Sequence, residues 1–220
     1  MEVIAQQIRK EYYRRGGSSN IFMAVEPCDF VIPAGQLTLI HGRSGSGKST
    51  LLNMLAGILR PTEGRVFYDG TDVYRMKDEE LSAFRNLHIG YVPQGQSAVS
   101  SLNVLENVML PCTLYGEDGR DAALAAMERF GIADLCEVMP DRLSGGELRR
   151  MAIARALVRN PQVLFADEPT GDLDDENTAA VFGTLKELAQ EGAAVLVVTH
   201  EEDSFRYADR IFDMNAGKLG

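Results

Sequence analysis

Gly42-Arg43-Ser44-Gly45-Ser46-Gly47-Lys48-Ser49 follows the apolar run Leu37-Thr38-Leu39-Ile40 and precedes Leu51-Leu52-Asn53-Met54-Leu55-Ala56. The run fits G-x-x-x-x-G-K-[ST], a loop that cradles phosphates, and its flanks read as a buried strand and a helix start. A flexible Gly/Ser linker would not need such flanks. Glycine tolerates positive φ and carries no side chain, so the turn brings backbone N–H groups close to a triphosphate. The helix that follows adds unpaired N–H groups and the positive end of its dipole. Lys48 supplies a charge for the β- and γ-phosphates. Ser49 offers a hydroxyl to Mg²⁺, a hard cation that prefers oxygen. Thr50, beside it, reads as a second early helix residue in the same cradle.

Further short apolar runs alternate with helical patterns, which predicts an α/β chain with a mostly parallel sheet. The runs are Leu37–Ile40, Ile89–Val92, Val163–Ala166 and Ala194–Val198. Each is followed at once by polar residues: the loop, Gln94, Asp167-Glu168 and Thr199-His200. Ligands of an open parallel sheet sit at the carboxyl ends of its strands, so four segments aim their chemistry at one edge. The Gly90-Tyr91 run is the least apolar of the four. Residues from about 95 to 159 carry little strand pattern, and Asn103–Leu114, Asp121–Phe130 and Glu147–Arg159 read as helices. The expected organisation is one domain, with 1–94 and 156–220 as the core and 95–155 as an inserted helical lobe.

The acids after Val163-Leu164-Phe165-Ala166 carry the chemistry. Strand side chains alternate, so Asp167 and Glu168 should point apart. Asp167 suits a contact to Mg²⁺, and Glu168 suits a general base that polarises water. An acidic pair alone often just opens a loop; the phosphate loop makes the functional reading the stronger one. Gln94 has an amide able to touch both metal and water, although a lone Gln after a strand is usually a surface residue. His200 ends a buried strand within reach of a γ-phosphate, although a lone His is more often structural.

Composition narrows the classes. The 220 residues suffice for a full core, and the net charge is −10. An acidic chain without a Lys/Arg block is a poor nucleic-acid binder. No run is long and apolar enough to span a membrane, so no direct insertion is expected. Cys28, Cys112 and Cys136 are widely spaced, which suggests reduced structural thiols in a cytosolic protein.

Leu143-Ser144-Gly145-Gly146-Glu147 stands before an apolar helix, upstream of the Val163 run. Together with the phosphate loop, Gln94, Asp167-Glu168, Gly171-Asp172-Leu173-Asp174 and His200, its order and spacing resemble the ATPase subunit of ABC transporters over essentially the whole chain. The resemblance implies a phosphate-loop core, an N-terminal antiparallel β region and a helical subdomain. It makes LSGGE the signature motif, GDLD the D-loop with Asp174 its aspartate, and His200 the switch histidine. It places an adenine-stacking aromatic at Tyr12, with Tyr13 a close alternative. Either Asp174 or Asp175 also suits the cap of the following helix.

Ser144, Gly145, Gly146 and Glu147 would form a second anion-binding helix terminus. The resemblance implies that two subunits pack head to tail, each signature closing the ATP held by the other, as a homodimer with two-fold symmetry. It also implies Mg²⁺, a separate integral membrane permease, and a cytoplasmic place on the inner face of the membrane. Three departures stand out: Glu147 replaces the commoner Gln, Leu148 follows it, and Arg43 is bulkier than usual. Glu at that place, and the stretch Ser101–Pro111, resemble the subgroup serving lipoprotein release, macrolide export and cell division. The competing class acts in DNA repair, chromosome structure or translation. It usually carries a coiled-coil insertion, a cysteine cluster or fused ATPase units, none of which the sequence contains. A small-molecule kinase would leave LSGGE and His200 without a role.

Overall fold

The computed structural model describes residues 1–13, 21–171 and 173–220. Asp172 of the GDLD segment therefore lies outside the described residues. The elements in order are β1 (Val3–Tyr13), β2 (Ile21–Ile32), β3 (Leu37–His41), α1 (Lys48–Leu55), β4 (Glu63–Tyr68), β5 (Thr71–Asp72), α2 (Asp78–His88) and β6 (Ile89–Val92). Then follow α3 (Val104–Thr113), α4 (Arg120–Arg129), α5 (Gly145–Leu157), β7 (Val163–Asp167), α6 (Asp175–Gln190), β8 (Ala194–Thr199), β9 (Arg210–Asn215) and β10 (Lys218–Leu219).

The strands build two sheets. One is antiparallel in the order β2-β1-β4-β5, and the other runs β10-β9-β3-β8-β7-β6. In the larger sheet β9, β3, β8, β7 and β6 are parallel, and β10 closes one edge as an antiparallel hairpin with β9. All four runs expected to be core strands lie in this sheet.

Strand alternation divides the core. Leu164 and Ala166 of β7, with Val195 and Val197 of β8, pack among residues of α3, α4, α5 and α6. Val163, Phe165, Ala194, Leu196 and Val198 face the opposite way, onto α1 and the antiparallel sheet. Both faces are covered, so these strands read as continuous apolar runs rather than as alternating ones. The weaker β6 run has a steric cause. A Cβ on Gly90 would lie 2.6 Å from the Ala156 carbonyl oxygen, 2.7 Å from Leu164 and 2.9 Å from Pro161. Its glycine lets α5 and the start of β7 close onto the sheet edge.

The helices carry their own stop and start signals. Asn103 caps α3, its side chain accepting from Glu106 N–H at 2.8 Å while Glu106 accepts from Asn103 N–H at 2.9 Å. Asp174, and not Asp175, caps α6, accepting from Asn177 N–H at 2.8 Å. The helix after the phosphate loop begins at Lys48, three residues before the apolar run that announced it. The antiparallel sheet matches the N-terminal β region that the family resemblance implied, whereas α2 was not predicted as an element.

Candidate active site

The phosphate loop connects β3 to α1, and two of its glycines are sterically obligatory. A Cβ on Gly42 would sit 2.2 Å from the Met214 carbonyl oxygen. Gly47 has φ 108°, and a Cβ there would sit 2.2 Å from the Ala24 carbonyl oxygen. The loop is tied from behind, since Gly217 N–H donates to Ser46 O at 2.8 Å. α1 thus starts inside a fixed turn, and its first-turn N–H groups face the loop's ligand side. Lys48 is only 5% exposed, and its Nζ donates to Gly42 O at 2.6 Å and Arg43 O at 3.1 Å. Burial lowers the Lys48 pKa, while Glu168 and Asp167 pull it back up.

Asp167 ends β7 and is 4% exposed. Burial raises its carboxyl above the ordinary range, opposed first by a hydrogen bond from Ser49 and then by Lys48 and Arg149, with Glu168 adding to the rise. Its buried Oδ1 has no hydrogen-bond partner. A buried carboxylate oxygen left unpaired beside the Ser49 hydroxyl is the oxygen-only chemistry that Mg²⁺ takes together with phosphates. Among the described residues no cluster of three His, Cys, Asp or Glu forms an all-protein metal cage.

Glu168 departs from the expected alternation. Its φ is 47°, left-handed backbone that non-glycine residues rarely adopt. The two carboxylates therefore diverge through a backbone turn at the end of β7, not through the pleat. The Glu168 N–H donates to Val198 O at 2.8 Å. Its Oε2 accepts from Gln94 Nε2 at 2.8 Å, and its Oε1 lies 3.0 Å from His200 Nδ1. Three polar segments following β6, β7 and β8 thus meet at one carboxylate.

Adjoining cavities open around this point, and Gln94 and Glu168 line each of them. One, of about 380 Å³, is shared with Tyr12, Ser44, Gly45, Lys48 and Thr50. Another, of about 410 Å³, is shared with His41, Gly42, Arg43, Ser44 and His200. Tyr12 lines the first at 41% exposure, whereas Tyr13 is 80% exposed and lies outside it. Phe22 is the cross-strand partner of Tyr12 and lines the same cavity. Sequence reading missed Phe22, because register across β1 and β2 is not written in either strand alone.

Ser144, Gly145, Gly146 and Glu147 do not line the phosphate-loop cavity. They start α5 as a capping box: Glu147 Oε2 accepts from Ser144 N and Oγ, both at 2.7 Å, and these bonds hold its carboxyl below the ordinary range. Gly145 and Leu148 border a third cavity, of about 470 Å³, with Gln94, Glu168 and His200. Asp174 sits apart, as the α6 cap.

Arg149 also escaped the sequence reading. It is 6% exposed and donates to backbone carbonyls of Pro93, Gly95, Asp167, Glu168 and Pro169. A signal was present: Arg149 shares the helical stripe of buried Ala152 and Ile153. A charge on such a stripe requires buried partners.

A strand, phosphate loop and helix, with a Gln, an acidic pair and a His gathered at the same sheet edge, define a nucleotide-hydrolysing cassette. The chain belongs to the ABC transporter family, whose profile matches residues 25–171, and it is an ATP-binding, ATP-hydrolysing subunit of that family. It is 40% identical to the lipoprotein-releasing system ATP-binding protein LolD of Bdellovibrio bacteriovorus, over 97% of this chain and 98% of that one. It is 41% identical to the macrolide export ATP-binding/permease protein MacB of Chlorobaculum tepidum, over 93% of this chain but only 32% of that longer protein. Among solved structures, the dimeric ATP-binding cassette MJ0796 bound to ADP and Pi superposes with a TM-score of 0.91 at 34% identity, covering 99% of this chain and 97% of that one.

Proposed function

We propose that the chain drives a separate membrane permease by closing, on ATP, into a head-to-tail homodimer. The observation that carries this reading is the separation of the two anion-binding helix ends. The Lys48 end lines the cradle, while the Ser144–Glu147 end leaves that cavity uncovered. A second copy supplies the missing cover, and similarity to a dimeric cassette supports it. ATP is then the interfacial ligand, and its hydrolysis separates the pair.

Within each site, Gly42–Thr50 hold the phosphates and Tyr12 stacks on the adenine. Glu168 polarises the attacking water, with Gln94 and His200 orienting it. Asp174 and Ser144–Glu147 serve the partner's nucleotide. Ser49, Gln94 and Asp167 suit Mg²⁺, which when bound neutralises charge building on the β- and γ-phosphates. Residues 95–155 act as a lobe moving with the signature.

The permease would dock at an apolar cleft of about 400 Å³ bordered by Ile58, Arg85, Leu110, Leu114 and Tyr115. Ile58, Leu114 and Tyr115 expose apolar surface there, and names such as LolD and MacB support a transporter partner. Among the described residues no helix is long and apolar enough to cross a membrane, so attachment through a permease on the cytoplasmic face is the consistent arrangement. The test is the protein-concentration dependence of ATP turnover. Specific activity rises with concentration if sites are shared, and a rate strictly proportional to enzyme defeats the sandwich.

A further inference from the structure

We infer that Arg149 is a positioning residue that sets the spacing between Gln94 and Glu168 and links both to the signature helix. The inference rests on the proposed roles of Gln94 and Glu168 in activating water.

The guanidinium bridges two chain segments, 93–95 and 167–169. Nη1 donates to Pro93 O at 2.8 Å and Gly95 O at 3.4 Å, the carbonyls on either side of Gln94. Nη2 donates to Asp167 O at 3.0 Å and to Glu168 O, and Nε donates to Pro169 O at 2.6 Å. One planar group therefore grips the backbone before and after Gln94 and the backbone from Asp167 to Pro169. Glu168 needs this support because its backbone is left-handed, a conformation that persists only when its surroundings fix it. The Gln94 amide then meets the Glu168 carboxylate at 2.8 Å.

Arg149 also sits just over one turn inside α5 from the Ser144 cap. Any shift of the helix end that closes on a partner's nucleotide moves the guanidinium, and with it both carbonyl sets. Arg155, further along α5, holds Ser97 through its carbonyl and hydroxyl, so the Gln94 loop is tied to this helix at both ends. An arginine suits the place better than a lysine. Its donors form a rigid fork, whereas a lysine offers one compact charge on a flexible stem and cannot span the same carbonyls.

The experiment compares wild type with Arg149→Lys and Arg149→Met in the full chain, with Glu168→Gln as control. It measures kcat, KM, ADP affinity by calorimetry, and the folded fraction by melting. A displacement of about 1 Å at a reacting group costs on the order of 10²-fold in rate. Arg149→Lys is expected to lose about tenfold or more in kcat per folded molecule, with ADP affinity changed less than about twofold, because the Lys48 cradle is untouched. Its effect should shrink in a Gln94→Ala background, since residues acting through one another are not additive. Arg149→Met should show the same split if the lysine variant melts early. A wild-type kcat, a parallel loss of kcat and ADP affinity, or full additivity with Gln94→Ala overturns the inference. If Glu168→Gln is inactive while Arg149→Lys turns over normally, the Arg149 inference alone fails. Wild-type turnover by Glu168→Gln removes the reading beneath it as well.

Discussion

Gln94 Nε2 donates to Glu168 Oε2 at 2.8 Å, joining residues that follow neighbouring parallel strands. The other carboxylate oxygen lies 3.0 Å from His200 Nδ1, so both oxygens are engaged within the chain itself. Glu168→Gln keeps the size of the side chain and removes its basicity. Hydrolysis is expected to fall about 10²- to 10⁴-fold while ATP binding persists. Size-exclusion chromatography with ATP should then show an accumulated dimer, and normal turnover would remove Glu168 from its proposed role.

Lys48 rests with its ammonium on the carbonyls of Gly42 and Arg43, on the inner side of the cradle. A charge-assisted hydrogen bond to phosphate contributes about 1.5–3 kcal/mol, so Lys48→Ala should weaken nucleotide binding by about tenfold or more. Calorimetry with ADP measures this without turnover, and unchanged affinity would contradict the phosphate-loop assignment.

Tyr12 and Tyr13 point to opposite fates along β1. Stacking of a base on an aromatic ring contributes about 1–3 kcal/mol as judged by alanine substitution. Tyr12→Ala is expected to weaken ADP binding by about that amount, and Tyr13→Ala to leave it unchanged. The reverse ranking would move the adenine contact to Tyr13.

Asp209 clips the entry to β3. Leu37 N–H donates to its Oδ2 at 2.9 Å, and Lys186 Nζ to its Oδ1 at 2.5 Å. The Lys186 bond, then the Leu37 bond, hold the carboxyl below its ordinary range. A depressed folded-state pKa contributes stability above the unfolded value of about 3.9, and that stability is lost as pH falls through the folded value. Asp209→Asn should therefore lower the melting temperature at neutral pH and flatten its decline below about pH 4. Parallel melting curves for the two proteins across that acid range would refute the linkage.

The strands of the parallel sheet were legible because burial on both faces leaves their residues almost wholly apolar. The site was legible because its residues follow those strands directly. The antiparallel sheet was harder to read. β1 pairs with β2 through several register shifts, and its β4 partner lies some 54 residues away at the Arg9–Glu63 bond. The role of Arg149 depends on carbonyls, which no residue identity announces. The left-handed turn at Glu168 was invisible for the same reason: it is fixed by Val198 O and Arg149, not by its own side chain.

The cradle is wedged between parts of the chain that lie far apart in sequence. Gly47 abuts Ala24 from the antiparallel sheet, Gly42 abuts Met214, and Ser46 is bonded by Gly217. A half-assembled chain lacks these walls and so has no competent pocket. Nucleotide that binds only the assembled cradle favours the native state, and its binding free energy adds to resistance to heat. The same wedge makes the melting temperature a titration readout, in which each tenfold rise in ADP above its dissociation constant adds about 1.4 kcal/mol of native-state stability.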